Sequence, residues 1–145
     1  MSPDPTLPVL TAGAYILMGS VLPFMVGLTK DGSRLGVVRL GGHREPGETP
    51  WQCAAREVQE EASLTITPLR PPATYWLRAT DPPVHMQAGP WPMTGQEDVA
   101  PLLVVATGHL ATEALSLMYL ARTAQHPITS AETQRLLLVR PDDVT

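Results

Sequence analysis

Residues 41–64, GGHREPGETPWQCAAREVQEEASL, constrain the chain more than any other stretch, because a glycine-rich loop there runs into a short acidic helix. Thr49 is a good N-cap, and Pro50 at the first helical position gives up only an amide that would be unpaired anyway, so a helix is expected to start there. At 100° per residue, Trp51, Ala54, Ala55, Val58 and Ala62 share one side, a narrow stripe of mostly small apolar residues suited to close packing against a sheet. Glu57, Glu60 and Glu61 fall on a different side.

Those three acids stand at i, i+3 and i+4, where neighbouring like charges repel by roughly 0.2–0.5 kcal/mol per pair. A helix optimised only for stability would alternate them with lysine. Arg56 is the sole basic residue in the helix, and Glu48 adds a further carboxylate just before it. Four carboxylates around one arginine point to a divalent cation. Oxygen-only ligands favour a hard ion, Mg²⁺ with Mn²⁺ as the alternative, and Mg²⁺ commonly completes its shell with substrate phosphates. The expected substrate is a polyphosphate.

The spacing from Gly42 through Glu48, Arg56, Glu57, Val58, Glu60 and Glu61 to Leu64 resembles the Nudix box, G-x5-E-x7-R-E-U-x-E-E-x-G-U with U aliphatic. Every specified position matches except Ser63, where the family has glycine. That glycine normally ends the helix in a left-handed conformation, which costs a non-glycine residue roughly 1 kcal/mol.

The resemblance implies an α/β/α sandwich around a mixed β-sheet, whereas the residues themselves give a mixed α/β domain. It implies metal-dependent hydrolysis of a nucleoside diphosphate linked to another group X, such as a nucleoside triphosphate, a nucleotide sugar or ADP-ribose. By position in the box, Glu57, Glu60 and Glu61 are the expected metal ligands, with Glu57 also orienting or deprotonating water. Arg56 is the expected partner of Glu48, holding the loop to the helix. A base from outside the box occurs in some members, and Glu97, Asp98, Glu113 and Glu132 are candidates; Glu132 is best placed, before the last strand. Nudix proteins usually carry a second helix near the position of Pro141-Asp142-Asp143, so either that helix is supplied differently or the chain is shortened.

The rest of the chain frames this region. At 145 residues and 43% hydrophobic, it has the size of one domain, residues 1–145, with enough length to bury a core. A net charge of −4 argues against gripping a nucleic-acid polymer. Cys53 is the only cysteine, so no internal disulfide can form, and it is read as a small packing residue. Residues 1–9 lack a secretory pattern and read as an extended lead-in, which makes a cytoplasmic location the expectation. Residues 12–28 are apolar, but Gly19-Ser20 and Pro23 interrupt them, so two buried strands, 11–18 and 22–28, are expected rather than a membrane span. A turn over 30–33 leads to a strand over 34–40 that delivers Gly41-Gly42 to a phosphate.

After the helix, strands are expected over 64–67, 74–77, 101–107, 113–121 and 135–139. Residues 81–101, rich in Pro and Gly, read as a long loop and the specificity element. Within it Trp91 is the leading candidate to stack a base, with an anchoring role as the plain alternative. Tyr75 and Trp76 would face opposite sides of a strand. Arg34, Arg39 and Arg78 are candidates for phosphate contact and are equally explained as surface residues. His43 is expected to hydrogen-bond the loop, and His85, His109 and His126 have no ligand spacing. A homodimer is compatible with the family. An inactive Nudix-fold binding or regulatory module is the alternative function; the complete acid set speaks against it, and only Ser63 speaks for it. A purely structural domain would show no Mg²⁺-linked stabilisation.

Overall fold

A computed structural model describes residues 3–28, 31–92, 99–108, 112–125 and 136–143. The helix begins where the sequence places it. Thr49 caps α1, Pro50–Ala62, by accepting from the Gln52 amide, while the Gln52 side chain returns a bond to the Thr49 amide. This reciprocal pair satisfies two donors that a helix start otherwise leaves open. Cys53, Ala54, Val58 and Ala62 are buried, and Trp51 and Ala55 pack beside them.

The face they meet is set by strand alternation. In β1, Val9–Leu17, the residues Ala12, Ala14 and Ile16 point to the helix and are fully buried. β9, Ala114–Arg122, runs parallel to β1 and presents Leu115, Leu117, Tyr119 and Ala121 to the same core. Trp51 meets Tyr119 edge to face at 5.2 Å, pinning the first turn of the helix to the sheet. Burying one aliphatic side chain of this kind, such as Val58, is worth roughly 1.5–3 kcal/mol.

Two further short strands, β2, Leu22–Leu28, and β3, Leu35–Val38, pair with each other, and β4, Leu40–His43, returns to pair with β1. Beyond the helix come β5, Thr67–Pro68, β6, Thr74–Arg78, β7, Gln87–Gly89, β8, Leu103–Thr107, β9, and β10, Leu136–Val139. Among the described residues the larger sheet has the order β4-β1-β9-β8-β6-β7, with β5 paired to β9, and the smaller has the order β10-β2-β3. The larger sheet is mixed, since β1/β9 and β6/β8 are parallel and the other pairs antiparallel. This is the expected mixed α/β class.

Four local expectations need correction. The strand expected over 34–40 is two strands in different sheets, because the chain switches sheets at Arg39. Gly41 and Gly42 belong to β4, not to a loop, and pair with Gly13 and Ala12. Over 64–67 the burial alternates as expected, but only Thr67 begins a ladder, against Arg122. Within 81–101, a 3-10 turn, Pro83–His85, and β7 replace part of the expected loop. Near the C-terminus, Pro141–Asp143 forms a 3-10 turn, and α1 is the one α-helix among the described residues. No helix among them is long and apolar enough to cross a membrane.

Ser63 ends α1 in the left-handed region, φ 56° and ψ 35°, with its amide bonded to the Gln59 carbonyl at 2.9 Å. It is the one non-glycine with positive φ among the described residues. The helix exit is therefore the glycine geometry, held by a residue that pays a steric cost for it. Ser63→Gly is expected to raise stability by about 1 kcal/mol, or Tm by a few degrees, and Ser63→Val to lower it, as read by thermal unfolding.

Candidate active site

α1 presents its acids to the edge formed by β4, and Arg56 is the hub between them. Its Nε donates to Glu48 Oε2 at 2.7 Å and its Nη2 to Glu48 Oε1 at 3.2 Å, a two-point contact. Nη1 donates to Glu57 Oε1 at 3.0 Å and meets both Glu60 oxygens at 3.2 Å. Nη2 also donates to the His43 backbone carbonyl at 3.0 Å, so His43 serves the loop through its main chain. Glu45, at 3.8 Å from Nε, adds a fourth carboxylate at the rim.

Glu48 is the most enclosed of these acids, its side chain 12% exposed against 53% for Glu60. Its second tie is the Glu45 amide, which donates to Oε1 at 3.0 Å. The hydrogen bond from Arg56 outweighs the burial that would otherwise raise it, so the Glu48 carboxyl is held below its usual range. The same bond, helped by Glu60 and Glu57, raises Arg56 further, and it stays charged at every accessible pH.

The other two contacts run to glycine. Glu61 Oε1 accepts from the Gly41 amide at 2.8 Å. The Glu57 carboxylate lies against Gly42, where an added Cβ would stand 2.5 Å from Cδ and 2.6 Å from Oε1. Gly41 has no more room, since a Cβ there would meet the Ala12 carbonyl oxygen and Gly13 Cα at 2.5 Å. The glycine pair thus admits the helix acids to the strand edge.

Glu57 and Glu60 are brought together on one guanidinium nitrogen, while Glu61 is held separately on the strand. Among the described residues no group of three acidic, His or Cys side chains gathers closely enough to hold an ion jointly. The donor set is nonetheless all carboxylate oxygen, and Arg56 Nη1 shows that Glu57 and Glu60 can converge on a single positive charge. That chemistry fits a hard divalent cation.

The remaining candidates lie elsewhere. Glu132, Glu97, Asp98, His109 and His126 lie outside the described residues. Glu113 is ion-paired with Arg78, which occupies both. Trp91 stacks on Trp76 with ring centroids 5.7 Å apart, and the cavities it lines contain none of the helix acids. Arg34 and His85 are exposed. Cys53 is buried beneath the site, and burial, then the charge of Glu48, pushes its thiol up to about 11, which keeps it protonated and unreactive.

A family model for the NUDIX domain matches residues 28–107. The chain belongs to the Nudix family. Its Nudix box, Gly42 to Leu64, falls within the matched span. Curated proteins include no sequence match to this chain. Among solved structures, a Nudix family hydrolase from Clostridium perfringens is 18% identical with a TM-score of 0.60, over 92% of this chain and 82% of that one. A MutT Nudix hydrolase from Burkholderia pseudomallei is 19% identical with a TM-score of 0.53, over 95% and 87%. A C. elegans Ap4A hydrolase in a binary complex is 19% identical with a TM-score of 0.54, over 93% and 82%. At these identities the likeness is one of fold.

Sequence reasoning missed the Glu61 bond to Gly41 and the seat of Glu57 on Gly42, both of which depend on the pairing of β4 with β1. It also missed the capping role of Gln52, which the Thr49-x-x-Gln52 spacing does signal. The depressed Glu48 carboxyl fixes the sign of a pH effect. Its contribution to stability is complete above its unfolded value, about 4.5, and is lost as pH falls through its lower folded value. The stability gap between wild type and Glu48→Gln is therefore expected to be constant from pH 7 to about 5 and to close toward pH 3, measured by denaturant unfolding.

Proposed function

We propose that residues 1–145 act as one Nudix domain, a metal-dependent hydrolase that cleaves the pyrophosphate linkage of a nucleoside diphosphate bonded to another group X. Water attacks one phosphorus, and the other phosphate leaves with its substituent. The substrate class comprises nucleoside triphosphates, nucleotide sugars and ADP-ribose. The observation that carries this reading is the charge imbalance around α1: Glu48, just before it, and Glu57 and Glu60 on it share the guanidinium of Arg56, with Glu61 alongside on Gly41.

Glu57, Glu60 and Glu61 would hold Mg²⁺ or Mn²⁺, which when bound supplies charge neutralisation for the phosphates and a more acidic water. Phosphoryl transfer needs such positioning and neutralisation more than covalent catalysis. Glu57 is the residue best placed to orient or deprotonate the water, because Arg56 and the bare Gly42 backbone fix its carboxylate from two sides. Glu48 and Arg56 act as positioning residues, tying the 44–48 segment to the helix. Glu132, which precedes the last strand in the sequence, would serve as a second base.

The alternative, a module that binds without hydrolysis, rests on Ser63. Ser63 adopts the left-handed exit that glycine would, so the helix carrying the acids ends as the family pattern requires. A self-repelling acid set brings a binding module little.

Phosphate or nucleotide release should be followed over a panel of nucleoside triphosphates, nucleotide sugars, ADP-ribose and dinucleotides with Mg²⁺. One compound class is expected to turn over, with kcat reduced by about 10²-fold or more in Glu57→Gln and Glu60→Gln. Melting curves are expected to rise with millimolar Mg²⁺ in wild type and less in either variant. A folded protein with no turnover across the panel would overturn the hydrolase reading.

A further inference from the structure

α1 covers only part of its own face of the larger sheet. Ala12, Leu117, Val104 and Trp76 are successive register partners across β1, β9, β8 and β6, so Trp76 shares the face that Ala12 turns to α1. α1 packs against β1 and β4, whereas Trp76 is covered by Trp91, whose ring stacks on it at 5.7 Å. Pro3, Pro5, Pro90 and Pro92 close a cavity of about 320 Å³ with Trp76. Beside Trp91 lie two further cavities, of about 470 and 430 Å³, which share Arg70, Pro90, Trp91 and Ala100 and so make one groove.

Proline dominates the walls of this groove, and a single charge marks it. Pro68 lines one half, and Pro71 and Pro72 line the other. Arg70 is the one charged residue lining it among the described residues; it is exposed and makes no ion pair among them. A guanidinium presents a two-point fork to a carboxylate. Ala88 and Gly89 of β7 border the groove, and β7 ends the strand order of the larger sheet among the described residues, so an extended chain laid there would meet backbone groups at its edge. The protein itself supplies an example of what the adjoining surface accepts. Pro3 is buried where it and Pro5 line the cavity with Trp76, and Asp4 between them is exposed. Asp4 is engaged by Thr6, whose amide and hydroxyl both donate to it.

We infer that this groove docks a proline-rich segment of a partner protein that carries an acidic residue, with proline rings against Trp91 and the carboxylate on Arg70. Proline-rich segments hold an extended helix before they bind, so they lose little entropy on docking against aromatic side chains. The proline walls of the groove have no rotamers to lose. One guanidinium matches one carboxylate, whereas a chain of phosphates carries several charges and calls for several cations. None of Glu48, Glu57, Glu60 and Glu61 lines the groove, so docking there and hydrolysis are separate properties of the chain.

The probes are a labelled peptide, Pro-Pro-Asp-Pro-Pro-Asp-Pro-Pro, and the same peptide with lysine in place of each aspartate. Affinity is read by fluorescence anisotropy, and the site by the indole N–H signals of the three tryptophans in NMR, assigned with Trp91→Phe. Wild type is expected to bind the aspartate peptide at least about fivefold more tightly than the lysine peptide at low salt, moving the Trp91 signal and leaving that of Trp51 in place. Arg70→Glu, a change at an exposed position, is expected to reverse the preference while its melting curve and its turnover of the nucleotide panel match wild type. No binding of either peptide, equal binding of the two, a preference that survives Arg70→Glu, or movement of the Trp51 signal in place of Trp91 would overturn the inference. Self-association of the wild-type chain that Arg70→Glu abolishes would also overturn it, by assigning the groove to the proline-rich N-terminus of a second copy.

Discussion

Arg56 is the residue on which both the loop and the acids depend. Three carboxylates at i, i+3 and i+4 on one helical face push apart by tenths of a kcal/mol each. A two-point, charge-assisted bond such as that from Arg56 to Glu48 is worth roughly 1.5–3 kcal/mol, so a single well-placed guanidinium overcomes that repulsion. It does so without neutralising the group. Glu48 is bound most closely, Glu57 and Glu60 share one nitrogen, and negative charge is left over at the surface. Stability and the local excess of negative charge come from the same contact set.

Glycine supplies the second constraint, and at each position it is space that matters. Gly13, Gly41 and Gly42 lie on the paired strands β1 and β4, and a Cβ on any of them would strike backbone, Arg39 or Glu57. With side chains there, β4 could not lie close to β1 and the helix acids could not reach the strand edge. The small residues of α1, Cys53, Ala54 and Ala62, perform the matching task from the other side by letting the helix approach the sheet.

What the sequence made legible was local or one-dimensional. Thr49-Pro50 fixed the helix start, because caps act within a single turn, and the spacing of Glu48, Arg56, Glu57 and Glu60 identified the acid hub. Apolar runs located β1, β2, β6, β8, β9 and β10 to within a few residues. The failures involved partners distant in the chain. Gly41-Gly42 has low strand propensity and reads as loop, yet β1 recruits it into a ladder, since strand formation depends on the neighbour as much as on the residue. The stacking of Trp91 on Trp76 is likewise illegible, because nothing in its own segment reveals that Trp76 lies beside it.

The pleat of β1 explains why two strongly charged groups can be close along the backbone and still remain independent. Ala12, Ala14 and Ile16 face α1, so the acids lie on that side and at the β4 edge. Gly13 and Tyr15 face the other way, and Arg39 lies over Gly13. Had Arg39 been on the helix side, it would have joined Arg56 among the acids, and their excess of negative charge would have shrunk. Because successive residues of a strand point to opposite faces, the sheet keeps the Arg39 guanidinium and the acid-rich edge apart while the chain passes from one to the other in two residues, Arg39 to Gly41.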